Sequence, residues 1–164
     1  MFYRIYLLLL YASNWLVLAE PKNGQELVLC RKCGADVADS FYLFSKNSPG
    51  ARKTEKQNLF GRQNITVQTL INPFGVKFDI VTAEKARCEN VGNSQGADSW
   101  FPGYTWRICT CPRCKQHLGW TFQSINSSAD GDNDINLFHG LILSNVLGEN
   151  FTDSLIMMPK VYKM

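Results

Sequence analysis

Histidine, charge and long apolar runs are all scarce in this chain. Only two histidines, His117 and His139, occur in 164 residues, which excludes a histidine-rich metal centre. Charged residues make up 19% and leave a formal net charge of +3. That is not the profile of a disordered tail or of a chain that coats nucleic acid, and no nucleic-acid partner is expected. No stretch sustains a 3.6-residue apolar period over three turns, so a helical domain is excluded and at most one short helix is expected. The uninterrupted apolar stretch at residues 5–12 is too short to span a bilayer comfortably, and no second run is long enough to anchor the chain.

The first segment reads instead as an address. Residues 1–19 carry one charge, Arg4, then an apolar run, with Val17 and Ala19 at the small-residue positions of a signal-peptidase site before Glu20. Three N-x-S/T sequons, at Asn64, Asn126 and Asn150, agree with secretion and glycosylation. The expected organisation is a signal peptide at 1–19, a lead-in at 20–26, one domain at 27–147 and a tail at 148–164. One arginine and no acid lie in the leader, so the rest holds 16 basic and 14 acidic side chains.

Residues 66–71, 76–83, 104–110, 118–124 and 137–146 are short, rich in β-branched or aromatic residues, and bounded by turn formers. Breaks are expected at 46–50, 72–75, 89–98, 102–103 and 129–134. The pattern predicts an all-β domain of antiparallel strands.

Six cysteines are the next feature. Cys30-x-x-Cys33 and Cys111-x-x-Cys114 are matched knuckles 81 residues apart. Two such turns complete a tetrahedron of thiolates around Zn²⁺, and Gly34 and Pro112 suit the turns. Arg31, Lys32, Arg113 and Lys115 would offset the negative charge of a four-sulfur centre. A closed site of this kind serves stability and not metal catalysis. Cys88 and Cys109 remain as one disulfide or two buried thiols, and spacing alone leaves both open.

Outside the leader the chain has three tryptophans, Trp100, Trp106 and Trp120, all within 21 residues. The second knuckle caps a hairpin. A turn centred at 112–113 would pair Ile108 with Leu118, Trp106 with Trp120, and Tyr104 with Phe122, all on one face. The Pro102-Gly103 turn would fold Trp100 over that face. Three indoles beside a pinned turn form a box for a cation or for a flat neutral ring, whereas a lone tryptophan would more simply be core.

The run Ser99-Trp100-Phe101-Pro102-Gly103-Tyr104-x-Trp106, the following Cys111-x-x-Cys114, and His117-x-Gly119-Trp120-x-Phe122 resemble the CULT domain, the thalidomide-binding domain of cereblon. Cys30-x-x-Cys33 and Asn72-Pro73-x-Gly75 follow the same pattern in the same order. The resemblance covers about residues 27–147 and is to a secreted, single-domain branch, so no ubiquitin-ligase adaptor is expected. It implies two antiparallel sheets pinned by a structural zinc, a β-tent. It implies that Trp100, Trp106 and Trp120 wall a cage, that Phe122 closes its base, and that Asn72 belongs to the site. Backbone groups of Asp98 and Trp100 would bond the imide edge of a cyclic imide, a glutarimide or a uracil-type ring. Asp98 and Phe74 stand where the family commonly has histidine, and Val76 where it has an aromatic. A carboxylate at residue 98 would favour cationic ligands.

Two other readings have residues behind them. A methionine sulfoxide reductase of the B type would use Cys88 as nucleophile and Cys109 as resolving partner, but the histidines such a site needs are missing. An aromatic cage for methylated ammonium groups differs only in ligand charge.

Overall fold

The computed structural model describes residues 24–125 and 135–156; the leader, most of the lead-in, the sequon at Asn126 and the end of the tail lie outside the described residues. Strands β1 (Leu27–Cys30), β2 (Asp36–Asp39), β3 (Leu43–Phe44), β4 (Lys53–Leu59), β5 (Arg62–Ile71), β6 (Lys77–Ala83), β7 (Glu89–Gln95), β8 (Tyr104–Thr110), β9 (His117–Ser124), β10 (Leu137–Ile142) and β11 (Val146–Gly148) precede helix α1 (Glu149–Ile156). One sheet runs β11-β1-β2. The larger runs β4-β5-β6-β10-β9-β8-β7, with β3 also on β6. Both are antiparallel, so the chain is all-β as its sequence predicts. Among the described residues no helix is long and apolar enough to cross a membrane.

Side-chain alternation divides the interior in two. Val67, Val81, Ala83 and Leu141 join Val28, Val37, Cys30 and Cys111 in one cluster. Their strand neighbours Leu70, Ile80, Phe138 and Ile142 join Phe101, Tyr104, Trp120 and Phe122 in the other. In the second cluster Phe101, Phe122 and Phe138 meet with centroids 4.8–5.0 Å apart, a floor of rings on which the site stands.

Three expectations need correction. The β8–β9 hairpin pairs Trp106 with Phe122, Ile108 with Trp120, and Tyr104 with Ser124, two residues from the predicted register. The reason is the length of the connection: Cys111 N–H bonds Gln116 C=O at 2.8 Å, so the knuckle is a longer loop than a turn centred at 112–113. A two-residue slip keeps each side chain on its own face, so the tryptophans still share one. A bulge then separates Thr110–His117 from Cys109–Gly119, and the extra residue is Leu118. Leu118 therefore packs in the first cluster and not beside Trp120.

The second correction concerns residues 89–98, expected as a break. Most of that stretch is β7, an edge strand exposed along its length and paired only to β8. Its polar, glycine-containing sequence suits an edge that must not recruit other strands. The third is the predicted strand 137–146, which the structure splits into β10 and β11 by a short 3₁₀ turn at Leu143–Asn145. That turn carries the chain from the large sheet into the small one.

Gly119 is held at φ +151°, and a Cβ there would sit 1.8 Å from the Gly140 carbonyl oxygen of β10. Only glycine lets β9 and β10 approach this closely beneath Trp120.

Candidate functional site

The two knuckles are built alike. In the first, Cys30 N–H bonds Ala35 C=O and Gly34 N–H bonds Cys30 C=O, each at 2.8 Å. In the second, Cys111 N–H bonds Gln116 C=O at 2.8 Å and Lys115 N–H bonds Cys111 C=O at 2.9 Å. The fifth residue of each has positive φ, Gly34 at +69° and Lys115 at +60°. Cys30 ends a strand of the small sheet and Cys111 follows a strand of the large one, so the centre lies where the sheets meet.

Cys30 Sγ stands 3.6 Å from Cys114 Sγ, and Cys33 Sγ 3.7 Å from Cys111 Sγ, with all four sulfurs within 4.8 Å of one another. A tetrahedron of Zn–S bonds near 2.3 Å requires sulfurs about 3.8 Å apart. The four cysteines therefore suit one zinc. For the thiols alone, burial pushes Cys30 up to about 12, whereas the Gln116 backbone amide pulls Cys114 down to about 7. A cation is what makes four such groups thiolates together. Of the nearby basic residues, Arg113 donates to the Cys33 carbonyl at 3.3 Å, Arg31 to that of Val146 at 3.4 Å, and Lys115 pairs with Glu89.

The tryptophans converge on the large sheet. A cavity of about 420 Å³ is lined by all three, by Phe122 and Phe78 below, and by Asn72, Pro73, Phe74, Asp98, Ile108 and His117. Trp100 and Trp120 meet edge to face, 4.7 Å between centroids, and Phe78 and His117 abut Trp120 at 5.0 and 4.8 Å. Among the described residues Trp106 makes no ring-on-ring contact. It packs against the second cluster across from Phe122, its partner on β9, and also lines a groove with Val91 and Gln95 of β7.

Each outer indole is fixed from outside. Trp100 Nε1 donates to Ile71 C=O at 2.9 Å and Trp106 Nε1 to Ala97 C=O at 2.8 Å. Buried Gln68 accepts from Ser48 N–H at 2.6 Å, and the Ser48 hydroxyl donates to the Trp100 carbonyl at 2.5 Å. With these groups engaged elsewhere, the walls are apolar and preset. Asp98 adopts φ +55°, strained for a residue with a Cβ. Among the described residues no group bonds the Asp98 carbonyl or the Trp100 amide. Asp98 is also the lining's one charged side chain.

The four-cysteine centre and this fold have recognisable relatives. The family described as Yippee zinc-binding/DNA-binding /Mis18, centromere assembly, matches residues 27–150. The chain belongs to the Yippee-Mis18 family. The chain is also similar to "Protein cereblon" of Danio rerio, 31% identical over 97 residues, covering 57% of this chain and 22% of the relative. It is also similar to that of Xenopus tropicalis, 30% over 102 residues (61% and 21%), and of Drosophila simulans, 30% over 128 (76% and 18%). The chain spans about a fifth of the length of these relatives. It thus carries a CULT-like domain that resembles part of cereblon.

In this Yippee-Mis18 domain, Asn72 plays a narrower part than the motif suggests. Its Oδ1 accepts from Phe74 N–H at 3.0 Å and Val76 N–H at 2.9 Å, shaping the loop that presents Phe74, 90% exposed, at the cavity. Phe78, Ile108, Ser48, Gln68 and His117 were not assigned to the site from sequence. Phe78 was within reach, since it alternates with the core residue Ile80 on β6. The Leu118 bulge turns His117 inward, where burial lowers its pKa. Its Nε2 lies 2.9 Å from Gly119 C=O.

Cys88 and Cys109 are joined in a disulfide, Cα atoms 5.1 Å apart, that ties the start of β7 to β8. Neither lines the cavity. The sequon residues Asn64 and Asn150 are exposed.

Proposed function

We propose that this chain is a secreted binding module that holds a small planar ring, a cyclic imide, glutarimide or uracil, in the cavity between Trp100, Trp106 and Trp120. It does no covalent chemistry on that ring. One observation carries the reading: Asp98 and Trp100, whose carbonyl and amide have no partner among the described residues, line a cavity walled mostly by aromatic rings. A carbonyl acceptor beside an amide donor is the complement of an imide edge, where N–H adjoins C=O. Such bonds strengthen where indole faces exclude water. The volume lies within the roughly 300–1,000 Å³ of small-molecule sites. Cys88 bridged to Cys109 and absent from the lining weighs against a sulfoxide reductase.

Tryptophan fluorescence tests the ligand class. Uracil or a glutarimide is expected to quench saturably, and tetramethylammonium is not. Quenching by the quaternary amine alone would instead support the methylated-ammonium cage, with the Asp98 carboxylate as counter-charge.

Secretion has support from the leader, the exposed sequons and the disulfide, which persists in oxidising compartments. Expressed in cultured animal cells, the chain should reach the medium with Glu20 at its N-terminus and lose mass on glycosidase treatment. A cell-retained chain that begins at Met1 would refute that part.

A further inference from the structure

The surroundings of the disulfide hold more than a bridge needs. Cys109 is fully buried and His139 is 6% exposed. One donor atom from each of Cys88, Cys109 and His139 lies within 4.8 Å of the other two. The imidazole is also oriented. The Thr121 hydroxyl donates to Asn90 Oδ1 at 2.6 Å, so its oxygen is free to accept at His139 Nδ1, 3.1 Å away. That assignment puts the ring proton on Nδ1 and a lone pair on Nε2. No other group among the described residues bonds the ring. Burial pushes the His139 pKa down to about 4, which keeps the ring neutral at neutral pH. Ligating histidines are held this way, one nitrogen tied to a hydrogen-bond partner and the other presented to the ion.

We propose that Cys88, Cys109 and His139 form a second metal site, opened by reduction of their bridge, that takes a thiophilic divalent ion such as zinc or cadmium. The reductant is an external dithiol, which reaches Cys88, the less buried of the two sulfurs. The dithiol gives up two electrons and closes to its own disulfide. The Cys88–Cys109 bond breaks, and the two protons of the dithiol pass to the new thiols. The ion then displaces both protons and forms two metal–sulfur bonds beside Nε2. Two thiolates and an imidazole suit a soft ion, and a fourth position stays with water, unlike the closed four-sulfur centre.

Metal and thiol counts on the full chain test this. With its bridge intact the protein should hold one zinc. After a water-soluble phosphine exposes two further thiols and zinc is added, it should hold two. His139→Asn keeps a polar group for Thr121 and removes Nε2; it should stay at one, with native near-UV circular dichroism. Cys88→Ser, at a half-buried position, should behave the same and serves if His139→Asn does not fold. A bridge that resists the phosphine in the folded chain overturns the assignment. So does a reduced chain that stays at one zinc, or a second zinc that survives either substitution.

Discussion

Stripping the zinc with a strong chelator, or replacing Cys111 by serine, is expected to unfold the domain. Zinc bound by four thiolates contributes an apparent folding free energy of about 10–16 kcal/mol at neutral pH. The whole stability of an ordinary domain is about 5–15 kcal/mol. Here the ion joins β1 of a three-stranded sheet to the β8–β9 hairpin of the larger one. Cys30 and Cys111 lie within the first core cluster, so losing the metal leaves two thiols in the interior without their ion, and burial raises the pKa of Cys30. Near-UV circular dichroism should collapse on chelation and return when zinc is restored. A metal-free chain that still melts cooperatively within a few degrees of the zinc form would show that the core alone suffices.

Trp106→Ala and Trp120→Ala should separate binding from folding. Trp106 is half-buried, makes no ring-on-ring contact among the described residues, and makes one outward hydrogen bond. Its loss should weaken ring binding by roughly 30-fold or more, as for a buried tryptophan anchor, with zinc content unchanged. Trp120 is 9% exposed and packs against Phe78, Trp100 and His117. Truncating it should abolish binding and also cost about 3–5 kcal/mol of stability. Calorimetric titration alongside urea denaturation measures both. Equal affinity in Trp106→Ala and the wild type would end the cage assignment, whatever Trp120→Ala does.

Much of this site is readable before any coordinates because its chemistry sits in short, strict patterns. Two C-x-x-C pairs admit few arrangements, and the tryptophans on β8 and β9 are placed by alternation, which survived a register error of two. What alternation cannot see is a bulge. Leu118 interrupts the period and brings His117 into the lining, which strict alternation does not predict. Lys115 was marked for its charge, whereas its positive φ makes it the counterpart of Gly34, a role composition does not announce. β7 is not legible in the sequence because an exposed edge strand has no buried face to write into it. The Gln68–Ser48–Trp100 chain joins three distant segments and leaves no local trace. The Cys88–Cys109 bridge stayed open because sequence carries no distances.

The placement of the two knuckles has a consequence for how the protein is made. Each supplies half of the donor set, and 81 residues separate them. A nascent chain still on the ribosome before Cys114 has emerged holds two thiolates, or three, and cannot close the tetrahedron. Capture of the ion therefore comes late in synthesis and reports that both ends of the domain have arrived. Until then Cys30 and Cys33 wait unprotected, and any oxidant that reaches them first competes with assembly.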